Sequence, residues 1–212
     1  MNIADTDLKT TFYNIETLLK AIFIVMSLFN MSYTLFVAFA CSLIGVLRVC
    51  KNPQMTREYL TKVLMNNHGQ NLLYILLGAS GNTNYLYLSP IVLFFGFGVV
   101  EYIKIRYPIN KYSNYIEMIR NNKYFVFETR AKLEIIFFVY LVVTLPFDFF
   151  GKAIKLFLLG QLLMLKYKMN NDFKIACGVI HAWVMEKTRP FDSINSIYLK
   201  VTDWVYNFAT RN

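Results

Sequence analysis

Three long apolar stretches, residues 21–47, 63–100 and 135–165, constrain this chain more than any other feature, because none suits the surface of a water-soluble protein. The middle stretch carries the turn-forming run Gly78-Ala79-Ser80-Gly81-Asn82-Thr83-Asn84 at its centre and is flanked at both ends by Lys/Arg-rich segments. That pattern predicts a hairpin that enters and leaves a bilayer on one side. Composition agrees: 56% of residues are hydrophobic and 17% charged, with a mean hydropathy of +0.39, against about a quarter charged in an average soluble domain. The expected fold class is an all-α integral membrane protein, built from short helical hairpins in the bilayer plus interfacial amphipathic helices. Residues 1–169 form the expected membrane domain, and residues 170–212 a C-terminal amphipathic helical tail.

The number of crossings follows from length. A helix rises 1.5 Å per residue, so about 20 apolar residues cross a hydrocarbon core of about 30 Å. Residues 63–100 are far too long for one straight span. Folded at Gly78 to Asn84 they give two arms of about 15 residues, roughly 22 Å each, short for full crossings. In the third stretch Pro146, which removes a backbone donor, and Gly151 mark a kink or reversal. Lys152 and Lys155 would snorkel there, with Asp148 four residues before Lys152 as its candidate partner. The first stretch suits one tilted span, or a bent hairpin reversing at Asn30-Met31-Ser32; the hairpin is the expectation.

The net charge of +9 sits in the connectors: Arg48, Lys51, Arg57 and Lys62; then Lys104, Arg106, Lys111, Arg120, Lys123, Arg130 and Lys132; then Lys166, Lys168 and Lys174. Hairpins gather all three groups on one face, where they contact anionic headgroups. Nucleic acid is not an expected partner, because no folded soluble basic face is visible. Ile109, Tyr112, Ile116 and Ile119 predict a surface helix between hairpins. At the start of the chain, Leu8, Phe12, Ile15 and Leu19 follow Thr6 or Asp7 as candidate cap and predict a short helix on the membrane surface.

Catalytic apparatus is not visible, and no cofactor or metal is expected. Cys177 and His181 share a helix face without a second pair to complete a metal site, and Cys41, Cys50 and Cys177 suggest no disulfide framework. His68 reads as a residue that caps or bridges a helix break; a proton relay there would need buried acids around it, and the sequence presents none. No arm carries a recognisable set of paired buried charges, which disfavours a transporter. In the tail, Phe173, Ala176, Ile180, Trp183 and Val184 mark one apolar face, and Pro190 interrupts it. From Asp192, the candidate N-cap, Ile194, Ile197, Tyr198, Val201, Trp204, Val205 and Phe208 form a second helical stripe. It reads equally as an in-plane membrane helix or as a helix packed on the protein's own loops or on a partner.

The segment Gln54-Met55-Thr56-Arg57-Glu58-Tyr59-Leu60-Thr61-Lys62-Val63-Leu64, followed by Asn71-Leu72-Leu73-Tyr74, resembles the signature region of the transmembrane protein 33 family, also called Krüppel homologue 2. Arg57, Glu58, Tyr59, Leu60, Leu73 and Tyr74 carry the likeness. Ser89-Pro90, a basic Tyr-rich loop, the Pro-interrupted third block, Leu165-Lys166-Tyr167 and Pro190-Phe191 then recur in similar order. The resemblance covers most of the chain from about Phe12. It implies a non-enzymatic protein of the endoplasmic reticulum and nuclear envelope, reticulon-like partners, and a tail helix that binds curved membrane.

Two functions are therefore carried forward. One is a membrane-shaping or scaffold protein, whose short hairpins and surface helices occupy more area in one leaflet than in the other. The alternative is an accessory structural subunit of a large membrane complex, for example a nuclear pore assembly or a respiratory-chain complex of the mitochondrial inner membrane.

Overall fold

The structure is a computed structural model. It describes residues 3–29, 33–50, 56–78, 85–108, 111–147 and 149–210, and their side chains except those of residues 3–8, 150–151, 204–205 and 208–210. Among the described residues the elements are α1 (Ile3–Leu28), α2 (Thr34–Val49), α3 (Arg57–Met65), α4 (Asn67–Gly78), α5 (Tyr85–Arg106), α6 (Ser113–Asn121), α7 (Lys123–Thr144), a 3-10 turn (Leu145–Phe147), α8 (Phe149–Met169), α9 (Asn171–Thr188) and α10 (Asp192–Thr210). The predicted all-helical character holds, and no strand occurs among these residues. Two helical segments, Lys9–Leu28 and Tyr85–Arg106, are long and apolar enough to cross a membrane, and Thr34–Val49 is a shorter apolar helix.

Side-chain contacts fix the helix directions. Phe23 meets Phe95 edge-on at 5.0 Å while Tyr13 meets Tyr102 at 5.3 Å, so α1 and α5 run antiparallel. Tyr74 stacks on Tyr87 at 4.8 Å and His68 meets Phe94 at 5.2 Å, so α4 and α5 also oppose one another. Phe97 meets Phe127 at 5.5 Å and Tyr87 meets Phe137 at 5.3 Å, which sets α7 antiparallel to α5. The breaks after α1, after α4 and after α7 consequently lie at one end of the bundle, while α3 and α6 cap the other. Lys152 and Lys155 are the basic residues at the reversal end, among the described residues. Arg57, Lys62, Lys104, Arg106, Lys111, Arg120 and Lys123 gather at the connector end.

Local chemistry accounts for the breaks. Thr56 Oγ1 accepts from the Tyr59 amide at 3.2 Å and starts α3 as an N-cap. Asn66 turns extended between α3 and α4, and its Oδ1 accepts from the His68 amide at 2.8 Å. Asn66, and not His68, is therefore the residue that manages that break. Pro90 lies inside α5, where it cannot donate to the carbonyl of Leu86; Ser89 Oγ donates to that same carbonyl at 2.9 Å, which lets the helix continue.

Several expectations are corrected. The N-terminal segment is not a separate surface helix with a cap at Thr6 or Asp7. It is continuous with the first apolar arm in α1, because Thr17 and Lys20 of its inner face bury against the bundle instead of facing water. The arms of the second block are unequal: α4 has 12 residues and α5 has 22, since the polar run Asn67 to Asn71 belongs to α4 and α5 continues past Val100 to Arg106. Arg130 and Lys132 belong to α7 and not to a loop. The reversal at 79–84, Asn30 to Ser32, Ile109 and Asp148 lie outside the described residues.

The core gathers Phe23, Ala38, Cys41, Tyr74, Ile75, Tyr87, Leu88, Ile91, Phe95, Phe137 and Leu159 from α1, α2, α4, α5, α7 and α8. The outer surface is also apolar. Val25, Leu28, Phe36, Val139, Val143, Ile154 and Phe157 are each more than half exposed on α1, α2, α7 and α8. Soluble monomers seldom expose contiguous apolar area on this scale.

Candidate functional site

Charges occupy the interior of this bundle in two clusters joined by α4. In the first, Glu16 of α1 is fully buried; it receives Lys20 Nζ, one turn on, at 2.5 Å and Arg48 Nε of α2 at 2.7 Å. His68 Nε2 of α4 stands 3.5 Å from the same carboxylate. Two glycines make the room. A Cβ at Gly98 would lie 2.7 Å from Lys20 Nζ, and a Cβ at Gly45 would strike the His68 ring. The small residue at Gly98 thus admits the Lys20 ammonium group against α5.

In the second cluster, Lys166 Nζ of α8 lies 2.6 Å from both oxygens of Glu134 on α7. Arg130 Nε reaches Glu134 Oε1 at 3.2 Å, and its Nη2 donates to Asn71 Oδ1 of α4 at 2.6 Å. The Arg130 guanidinium also lies 4.7 Å from the centre of the Phe94 ring, whose edge-on neighbour is His68. His68 and Asn71 are three residues apart on α4, so one helical face touches both clusters. Ser42 Oγ, His68 Nδ1, Gln70 Oε1, Asn71 Nδ2 and Tyr74 Oη are buried with no hydrogen-bond partner among the described residues.

This seam overturns three expectations. His68 has a buried acid beside it. Charges are paired inside the bundle, on α1, α2, α7 and α8, contrary to the expectation that disfavoured a transporter. Arg130 and Lys166 do not face headgroups; their charges are held by Glu134. The Lys152 ammonium donates to the Thr144 carbonyl at 3.2 Å; its expected partner Asp148 lies outside the described residues.

The residues carrying the family resemblance scatter. Arg57, Glu58 and Leu60 are exposed on α3, Tyr59 donates to the Cys50 carbonyl at 3.3 Å, and Leu73 is half-buried. Of the six, Tyr74 alone joins the seam, with Lys166 Nζ 5.6 Å from its ring centre.

At the tail, Asn170 Oδ1 caps α9 by accepting from the Phe173 amide at 3.1 Å. Phe173 and Ala176 bury against Ala131 of α7, while Trp183, placed by the sequence on the same face, is exposed. On α10, Ile194, Ile197 and Val201 are exposed and Tyr198 is half-buried; the side chains of Trp204, Val205 and Phe208 are not among those described. Tyr198 meets His181 instead, hydroxyl to Nδ1 at 2.9 Å with the rings stacked at 5.6 Å. Cys177 packs at the edge of the Ala131 cluster, and burial pushes its thiol up to about 11. Among the described residues no group of three His, Cys, Asp or Glu is placed to hold a metal. No family model matches the chain, and no curated protein or solved structure matches it.

Proposed function

We propose that this chain is a non-enzymatic integral membrane protein that shapes or scaffolds its bilayer. The observation that carries the reading is the inverted distribution of polarity: Glu16, Lys20, Arg130, Glu134 and Lys166 are buried, while large apolar side chains face outward on α1, α2, α7 and α8. The unequal arms supply a mechanical asymmetry. α4 is about 18 Å long and α2 about 24 Å, both short of a hydrocarbon core, whereas α5 reaches about 33 Å. Short arms with α3 and α6 at one end place more protein in one leaflet, which favours curvature. By the charge asymmetry the connector end faces the cytoplasm and its anionic headgroups.

The exposed stripe Ile194, Ile197 and Val201 supports an in-plane α10 at that surface. On the transmembrane protein 33 resemblance, the proposed location is the endoplasmic reticulum and nuclear envelope, with reticulon-like partners. A second reading, an accessory subunit of a larger membrane complex, is favoured by α9, whose Ile175, Val179 and Trp183 are exposed at four-residue spacing. Reconstitution into liposomes tests the choice. Shaping predicts tubules or small vesicles by electron microscopy, at a rising protein-to-lipid ratio. Unchanged spheres, together with stoichiometric co-migration with one large complex in mild detergent, would select the subunit reading.

A further inference from the structure

Away from the charged seam, towards the reversal end, a cavity of about 30 Å³ lies between α4, α5, α7 and α8. Its lining includes Leu77, Gly78, Tyr87, Phe137 and Leu159, together with Lys155, which stands one turn nearer the reversal end than Leu159. Tyr87 and Lys155 are its polar side chains, and the Tyr87 hydroxyl is spent on the Tyr74 carbonyl. A void with so few groups to bond water accepts an apolar guest. Space on this scale takes a short stretch of alkyl chain and not a whole ligand, so the rest of the occupant lies outside it, in the bilayer.

The charge beside this cavity is one-sided. Lys155 is half-buried and has no hydrogen bond or ion pair among the described residues. Lys152, three residues before it and so on the same helix face, donates to the Thr144 carbonyl and meets no described carboxylate. No carboxylate lines the cavity. On the four helices around it the described carboxylates are Glu101 and Glu128, towards the connector end, and Glu134, which Lys166 and Arg130 already hold. Asp148 is the one acid of the sequence between residues 135 and 171, so at least one of the two lysines there is left without a counter-charge. A cation above a dry apolar void complements a molecule that carries an anionic group on a hydrocarbon chain.

We propose that this chain holds one anionic phospholipid at its reversal end, with the headgroup phosphate on Lys155 and Lys152 and part of an acyl chain in the cavity between α4, α5, α7 and α8. It differs from the contact of the basic connectors with headgroups: it is a single site on the opposite face, and it recognises a chain as well as a charge. The inference rests on the integral-membrane reading and is independent of membrane shaping.

The test is native mass spectrometry of the purified full chain in detergent, titrated with dioleoyl phosphatidylglycerol or with dioleoyl phosphatidylcholine. One phosphatidylglycerol per chain is expected to survive collisional activation that strips phosphatidylcholine. Lys155→Met is expected to weaken that retention by about tenfold. Leu159→Trp, which fills the cavity, should weaken it as well, whereas Lys123→Met at the connector end should leave it unchanged. Inorganic phosphate should not compete, because it brings no chain. Equal retention of the two lipids, or equal retention by the unaltered chain and Lys155→Met, would overturn the proposal. Displacement by inorganic phosphate would overturn it too, by assigning the lysines to a free anion. If Leu159→Trp fails to fold, Lys155→Met against Lys123→Met decides. Flotation of the unaltered chain with phosphatidylcholine liposomes keeps the two readings apart: a chain that floats yet retains no lipid contradicts the site alone, and one that stays in solution contradicts the membrane reading and the site together.

Discussion

Lys166 and Glu134 sit on different helices, 32 residues apart in sequence, yet the ammonium lies 2.6 Å from both carboxylate oxygens and each side chain is 2% exposed. A charge pair in that setting is held by geometry, and removing one member strands the other in a low-dielectric interior.

Glu134→Gln and Lys166→Met are each expected to cost about 3–5 kcal/mol, whereas the double variant should lie closer to the unaltered chain than either single one. Thermal unfolding in one detergent checks this. Additive losses in the double variant would mean that the two groups do not depend on each other.

Close approach at Gly45 gives a sharper contrast. Gly45→Ala drives a methyl into the buried His68 ring and should destabilise by about 1–3 kcal/mol. Gly96→Ala meets nothing within 4 Å and should leave stability unchanged or slightly raised. Unfolding midpoints of the two variants, measured side by side, test the packing of α2 on α4.

Cysteine chemistry reports on α9. With the Cys177 thiol raised to about 11 by burial, the reactive thiolate is scarce at neutral pH and grows tenfold with each unit of pH below that value. Maleimide labelling of the native chain, followed by mass spectrometry, should be slow at pH 7 and accelerate steadily towards pH 10. Fast labelling at pH 7 would place Cys177 away from the Ala131 cluster.

On the tail, a peptide of residues 192–212 should bind small liposomes more tightly than large ones. Ile197→Asp should weaken binding by about tenfold or more, since one apolar anchor is worth roughly 1.5–3 kcal/mol. Equal binding to both vesicle sizes would assign the exposed stripe to a protein partner.

The bundle was largely legible in sequence and the seam was not, for a physical reason. Gly78 to Asn84 and Pro146 interrupt apolar runs, and such breaks are local signals that survive without tertiary information. Glu134–Lys166, Glu16–Arg48 and Asn71–Arg130 are separated by 32, 32 and 59 residues, so nothing in the periodicity of one segment announces them. A partial signal was present: Glu16 with Lys20, and Arg130 with Glu134, are opposite charges four apart where helices turn apolar, a spacing that places both on one face. Counting cations as loop charge missed that these faces point inward. The exposure of Ile194, Ile197 and Val201, by contrast, depends on what α10 packs against, which amphipathicity alone does not decide.

The central claim is that antiparallel helix pairs return the chain to the face it left, with the basic connectors gathered there. Single cysteines at Arg57 and Lys111, both exposed at the connector end, test it when labelled in sealed vesicles with a reagent that does not cross the bilayer. Labelling of both from the same side is the predicted result. Labelling of the two from opposite sides would contradict it.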